Sequence, residues 1–354
     1  MDYVRASWVG VAIVLVLAGC KSDVVAPSDT GLDAADVSDA DVPVDSATDG
    51  GDTDSDTDPI RWRHIAAGNV HACGVTADYR ITCWGGWRRF AEGQIPIGTY
   101  EMVSASARWD CALDSAGTVD CWGDTKFQGR LKPPADEEGN PLGGFTYIDI
   151  GENHACAAGG PHEIKCWGLG SEEGEREGFS DYDQAVVPDG IAFDRVAAGF
   201  LHTCAIRADD GAIECWGAGT NPEREVDEND YDQAVPPEGE YVDIDAARYR
   251  NCAVTSDGAI RCWGRDGFGT PPEATNFESI TVGKTHACAL DDVGEVTCWG
   301  QDANGAKNVG AGPWEQVAAG TELTCALAPP ENMASGGTVK CWGRNDNNQT
   351  EVPE

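Results

Sequence analysis

The chain has 354 residues, among them 44 glycines and 15 cysteines, and a formal net charge of −37 from 61 acidic and 24 basic side chains. So acidic a surface repels phosphate backbones and excludes nucleic-acid binding by basic neutralisation. Fifteen cysteines point away from a reducing compartment, because an exported chain can keep such a set oxidised whereas a cytosolic one rarely does.

Residues 1–20 carry Arg5, an eleven-residue apolar run from Trp8 to Ala18, and the ending Leu17-Ala18-Gly19-Cys20. Eleven residues fall short of the roughly 20 that span a bilayer and suit the core of a signal peptide. The ending resembles the lipobox of bacterial lipoproteins, which implies a lipidated Cys20 at the mature N-terminus. Lys21 in the next position implies the outer membrane.

From Lys21 to Asp58 there are twelve aspartates, one lysine and no aromatic residue. Such a segment cannot bury enough apolar area to offset its ordering entropy, so it reads as a disordered acidic tether. Its Asp-x-Asp run at Asp52, Asp54, Asp56 and Asp58 lacks the glycine turn and distal glutamate of an EF-hand. The tether carries −11, residues 1–20 cancel, and −26 remains on 59–354.

Residues 59–354 repeat one motif seven times, clearest from Cys111 to Gly123. The second cysteines of the copies are Cys83, Cys121, Cys166, Cys215, Cys262, Cys298 and Cys341, so six intervals cover 258 residues and average 43, the period of a propeller blade. Nine residues between Cys111 and Cys121 predict a hairpin that pairs the two cysteines, pairs Leu113 with Val119, and turns through Ser115, Ala116 and Gly117. Gly117, Gly258 and Gly294 stand where the third loop residue needs a left-handed backbone. Longer copies, Cys204 to Cys215 and Cys325 to Cys341, place their extra residues in the turn. Each copy opens with an apolar strand such as His64 to Gly68, and closes with a polar passage in which Gln94, Gln128, Gln184, Gln233 or Gln349 precedes a proline-containing end. No helical periodicity of useful length appears. The expected fold is all-β, a seven-bladed propeller with one disulfide per repeat, over 59–354.

An apolar strand ending Ala-Ala-Gly, a His-x-Cys-Ala-Leu step, an Asp-Gly-type turn, Val-x-Cys-Trp-Gly and a later Gln-x-x-x-Pro together resemble the regulator of chromosome condensation repeat, over about 60–354. That resemblance implies a seven-bladed propeller, with the half-cysteines as a variant similar to secreted bacterial members. Activities known in the family are guanine-nucleotide exchange on a small GTPase, chromatin binding and, in a secreted bacterial relative, inhibition of β-lactamase. Location and charge disfavour chromatin.

Setting Cys20 aside, the cysteines fall into one pair per copy: Cys73 and Cys83, Cys111 and Cys121, Cys156 and Cys166, Cys204 and Cys215, Cys252 and Cys262, Cys288 and Cys298, Cys325 and Cys341. Directly opposed positions in a hairpin bring Cβ atoms near disulfide distance, and pairing within each hairpin is the simplest of many connectivities. A zinc site would need four converging ligands, which pairs spread round a ring do not supply. His71, His154, His202 and His286 all stand two residues before a first cysteine, and this fixed repeat position predicts a structural role.

The copies differ at the turn after the first strand, which reads Arg108-Trp109, Phe200-Leu201 and Arg248-Tyr249-Arg250 in three of them. Trp, Tyr and Arg are enriched at binding hot spots, so these seven residues are the candidate binding set. The competing reading has Trp109 and Tyr249 packing between blades. Replacing Arg108, Trp109, Arg248, Tyr249 and Arg250 with alanine is expected to spare the fold. The whole reads as an envelope-anchored, non-catalytic protein-binding module, monomeric, without cofactor, metal or nucleic acid, whose partner presents an anionic patch. An envelope enzyme acting on glycans from a shallow site, or a purely structural surface protein, are the alternatives. The acidic stretches Ser171 to Asp183 and Glu223 to Asp232 read as solvated loops. Residues Asn345 to Glu354 are expected to supply the passage missing before the first copy and so to join the ends in one blade.

Overall fold

In each repeat the apolar strand and the two hairpin arms pair in sequence order as a three-stranded antiparallel sheet, giving the seven expected blades. They span 62–85, 100–123, 145–168, 193–217, 241–264, 277–300 and 316–343 and are numbered 1 to 7 here. The computed structural model describes residues 59–86, 95–124, 132–160, 163–170, 182–219, 230–267, 269–302, 304–330 and 336–354. The leader with Cys20, the tether, Gln94, Gln128 and most of the two acidic stretches lie outside the described residues. No fourth strand forms from the polar passages among the described residues.

The hairpins have the register that the spacing predicts. Cys111 opposes Cys121 and Leu113 opposes Val119, Asp114 N–H donates to the Thr118 carbonyl, and Gly117 takes a φ of 76°. All seven disulfides close within a hairpin, with Cα atoms 4.0 to 4.1 Å apart. The middle strand is buried on both faces, as His154–Gly159 shows at every residue. Radial packing on two neighbours demands that double burial.

Seven core clusters fill the seven seams between consecutive blades. The one that closes the ring packs Trp62, Ile65 and Trp84 of blade 1 against Leu323, Leu327 and Val339 of blade 7. Residues 345–354 reach blade 1 as expected of the passage missing before the first copy, though they add no strand to it. The Trp84 indole donates to the Gln349 carbonyl at 3.0 Å, Val352 packs on the same cluster, and Trp62 makes a two-bond bridge to Gly337. A buried glutamine turn does the work of a sheet edge: the Gln349 side chain accepts from Asn347 N–H, as Gln184 does from Tyr182 and Gln233 from Tyr231.

The Ala-Ala-Gly ending has a steric origin. A Cβ at Gly151, Gly283 or Gly320 would lie 2.1 Å from the carbonyl oxygen of the corresponding glycine in the next blade. In blade 2, where Ser106 replaces glycine, its hydroxyl donates to the Gly151 carbonyl at 2.7 Å and turns the close approach into a bond.

The position two residues before the first cysteine latches each blade to the next. His71, His154, His202 and His286 hydrogen-bond through Nε2 to Asp110, Thr203, Asn251 and Thr324, each the residue just before the first cysteine of the following blade. Where the latch residue is Trp109, Arg250 or Leu323, the facing position holds Ala155, Ala287 or Ala72. Trp109 packs with Ala155 and Leu323 with Ala72, while Arg250 reaches past Ala287 to the Lys284 carbonyl at 3.2 Å. The four histidine latches meet polar partners and Trp109 and Leu323 meet alanine, while Arg250, opposite Ala287, is satisfied by backbone carbonyls instead.

Candidate binding face

Inner strand, turn and middle strand place every first turn at one end of the ring, and the outer strand returns to that end. Seven repeated bonds tie the two together there; Asp124 N–H donates to the Arg108 carbonyl, Ala218 to Leu201 and Arg265 to Tyr249, at 2.7 to 3.0 Å. The candidate residues and the polar passages therefore share one end.

Over blades 4 and 5 the turns build an aromatic plate. Leu201, Ala218 and Tyr249 form its buried floor, with Phe200, Tyr182 and Tyr231 half-buried around them. The Phe200 and Tyr249 rings meet edge to face at 5.5 Å between centroids, and Tyr231 lies 5.1 Å from Tyr249. The Arg248 guanidinium stands 5.7 Å from the Phe200 centroid and 5.8 Å from that of Tyr249, while Arg265 covers Tyr231 at 5.0 Å. Such approaches lie within cation–π range. Arg248 also pairs with Glu152 of blade 3 at 3.3 Å, and Phe200 N–H donates to the Arg248 carbonyl at 2.8 Å. Arg250 donates to the carbonyls of Arg265, Lys284 and Asp266 at 2.7, 3.2 and 2.6 Å. Burial lowers its pKa first, and the charges of Arg265 and Arg248 lower it further.

The seven candidates thus separate. Phe200, Arg248 and Tyr249 come together at the plate, with Leu201 beneath it. Arg250 is a latch beside them. Trp109 is not a surface anchor: it is 1% exposed in the seam of blades 2 and 3, because it occupies the latch position rather than the turn. Arg108 is exposed on that separate turn. Truncating Trp109 would empty a core site and cost about 3 to 5 kcal/mol, so the five-residue alanine set does not spare the fold. Tyr182, Tyr231 and Arg265 complete the plate without having been singled out as binders. The signal for the two tyrosines was the duplicated Asp-Tyr-Asp-Gln, at Asp181 to Gln184 and Asp230 to Gln233, which reads as loop charge until the buried glutamine fixes the tyrosine beside it; Arg265 follows Cys262-Trp263-Gly264 and carries no such signal.

The ring axis is a second feature. Inner strands of all seven blades line a cavity of about 360 Å³ that contains Asp149, Asp243, Asp245, Tyr147 and Arg195. Inner strands have one edge without a sheet neighbour, and side chains of the preceding blade cap it. Asp149 accepts from Ala198 N–H at 2.7 Å, Asp243 from Ile280 at 2.9 Å, Asp245 from Val282 at 2.6 Å, Thr281 from Ala319 at 3.0 Å and Gln316 from Ile65 at 3.0 Å. Burial pushes the Asp149 carboxyl up to about 6. Burial, and then the charge of Asp149, holds Asp245 well above the usual carboxylate range.

Among the described residues one group has ligand atoms close enough for a metal, His71, Cys73 and Asp110. Cys73 is bonded to Cys83 and offers no thiolate, which leaves the latch already described. Burial lowers the His71 pKa, but the charge and hydrogen bond of Asp110 outweigh it, so the net shift is upward.

Blade number, seam packing and turn geometry define a seven-bladed β-propeller with one differentiated end. Residues 277–306, which contain the strands of blade 6, match the Regulator of chromosome condensation (RCC1) repeat, and the other six blades share that blade's strand order and hairpin disulfide. Solved propellers share its fold. The CRINKLY WD40 ectodomain of the Arabidopsis thaliana receptor kinase ACR4 matches with a TM-score of 0.58 at 20% identity, over 80% of this chain and 98% of that one. Prp20p from Saccharomyces cerevisiae matches with a TM-score of 0.55 at 16% identity, over 82% of both chains. Yeast RCC1 (Prp20) bound to Kap60 matches with a TM-score of 0.53 at 17% identity, over 78% of this chain and 77% of that one.

Proposed function

We propose that this protein is a non-catalytic, monomeric protein-binding propeller, held at the bacterial cell envelope by a lipid on Cys20, which captures a partner on the end formed by the turns of blades 4 and 5. The plate of Phe200, Tyr249 and Tyr231 under Arg248 and Arg265 carries this reading. Half-buried aromatic and arginine clusters are the composition of binding hot spots. A scaffold does not require the plate, since five blades close the same turn as Asn69-Val70, Ala107-Arg108, Glu152-Asn153, Lys284-Thr285 and Thr321-Glu322. The axial carboxylates favour binding over catalysis, because each is engaged in capping a strand edge. Prp20p, a structural neighbour, was characterised for binding to Gsp1p and histones, which agrees with a propeller of this fold serving in protein binding.

A photo-crosslinking amino acid placed at Phe200 or Tyr231, in cells that express the full chain, tests the reading. Val293, 67% exposed in a hairpin turn at the opposite end, is the control position. A discrete protein adduct from the first two positions and none from the third is expected. No adduct, or the same adduct from all three, would refute the assigned face.

A further inference from the structure

Resting on the binding face proposed above, we infer that its occupant is an acidic peptide segment bearing an aromatic or large apolar side chain. Its carboxylates sit on Arg248, Arg265 and Lys284, and its apolar side chain sits on the plate of Phe200, Tyr249 and Tyr231.

Charge distribution is the first ground. Residues 59–354 hold 22 basic against 48 acidic side chains, yet four of the basic ones, Arg248, Arg250, Arg265 and Lys284, meet at this end of blades 5 and 6. Arg250 causes the meeting: its guanidinium binds the backbone carbonyls of Arg265, Asp266 and Lys284 and so fixes the segments that present the other cations. The charges that bear on Arg250 are Arg265, Arg248 and Asp266, and Tyr249 adds Glu152 to that set. Around Arg250 the cations Arg248, Arg265 and Lys284 outnumber Glu152 and Asp266, although Asp183, Asp230 and Asp232 flank the plate tyrosines in sequence and the ring as a whole is strongly acidic. Folding has gathered like charges against their mutual repulsion, an arrangement that a bound anion relieves.

Position is the second ground. Arg248, Lys284 and Glu152 line the mouth of the axial cavity, whose interior carries Asp149, Asp243 and Asp245. An anionic segment is therefore held at the mouth and repelled from the interior, which orients it across the turns. Successive ring centroids, 5.5 and 5.1 Å apart, give a plate of up to about 10 Å, the length of three extended residues at about 3.3 Å each. A single small anion would use the arginines and leave the plate uncovered. A peptide with flanking carboxylates and a central ring covers both.

The test is fluorescence anisotropy of the full-length protein with a labelled glutamate-rich peptide that has a central phenylalanine. Saturable binding is expected, weakening as salt is raised and screening shortens the Debye length below its value of about 10 Å at 0.1 M. Arg265→Glu, on an exposed side chain, should weaken it at least tenfold with the melting temperature kept, and Arg265→Lys should restore part of the loss. Tyr231→Ala should weaken it at constant salt dependence. A peptide with lysine in place of glutamate should not bind. The inference is overturned if the wild-type protein does not bind the peptide, or if Arg265→Glu binds it equally well. It is also overturned if polyphosphate binds with the same Arg265 dependence while the peptide does not. Those outcomes leave the binding face itself standing wherever crosslinking at Phe200 or Tyr231 still captures a protein.

Discussion

Exchanging the His202–Asn251 latch for an apolar one probes what holds neighbouring blades together. Both residues are fully buried, His202 Nε2 donates to Asn251 Oδ1 at 2.8 Å, and Asn251 Nδ2 donates to the Gln233 carbonyl. His202→Leu alone leaves Asn251 Oδ1 buried and unpaired, at a cost of about 1 to 3 kcal/mol. Asn251→Ala alone strands the imidazole N–H at a similar cost. The double variant reproduces the natural Leu323–Ala72 latch, and the Gln233 carbonyl keeps its bond from the Trp263 indole. It should therefore recover most of the loss, with a coupling energy of about 1 to 3 kcal/mol. The double variant should also lose a pH dependence. Burial lowers the His202 pKa to about 4 from an ordinary 6.5, since Nδ1 has no partner among the described residues to receive a second proton. A lowered folded-state pKa gives stability that is complete above 6.5 and lost as pH falls from 6.5 towards 4. At pH 5 the loss is about 2 kcal/mol. Denaturant unfolding with disulfides intact, at pH 7.5 and pH 5, measures both effects. Additive single-site costs, or wild-type and double-variant stabilities that stay parallel between the two pH values, would refute the latch argument.

Three further outcomes follow from particular contacts. Gly283→Ala sets a Cβ 2.1 Å from the Gly320 carbonyl oxygen and should cost about 2 kcal/mol or more by thermal melting, whereas Gly160→Ala, with nothing within 4 Å and no left-handed φ, should be tolerated better. Deleting 345–354 removes the Trp84–Gln349 bond and the Val352 contact and should lower the melting temperature or promote aggregation; an unchanged melt would show that the Trp62–Gly337 bridge and the seam core suffice. Cys20→Ala should move the protein from the membrane to the soluble fraction, and continued membrane association in a carbonate wash would contradict a lipid anchor.

Hairpin register, disulfide pairing and blade number were legible because they rest on local spacing. Nine residues between the two cysteines fix which side chains oppose each other, and five of the seven copies state that geometry independently. The structural role of the histidines was also legible, from their repeat position. Their partners were written in the sequence too, as polar Asp110, Thr203, Asn251 and Thr324 against Ala155, Ala287 and Ala72. Reading them required a comparison of each copy with the next rather than with its equivalent, because the bond crosses a seam. Trp109 is the same case: counted back from Cys111, it holds the place of a latch histidine, not of a turn residue. Closure by the Gln349 passage was legible from its repeat position, whereas the plate that Tyr231 joins depends on where a polar passage lies on a neighbouring turn. No periodicity encodes that placement.

The most direct test of the binding face is the dissociation constant of the protein captured by crosslinking at Phe200, measured for the wild type and for a variant with Phe200→Ala, Tyr231→Ala and Arg248→Ala. These side chains are half-buried and lie outside the seam cores, so disulfides and melting temperature should be kept. Loss of one anchor typically costs about 2 kcal/mol, or about thirtyfold, and three together should weaken binding by at least that factor. An unchanged dissociation constant in a variant that melts like the wild type would contradict the assignment of this end as the binding site.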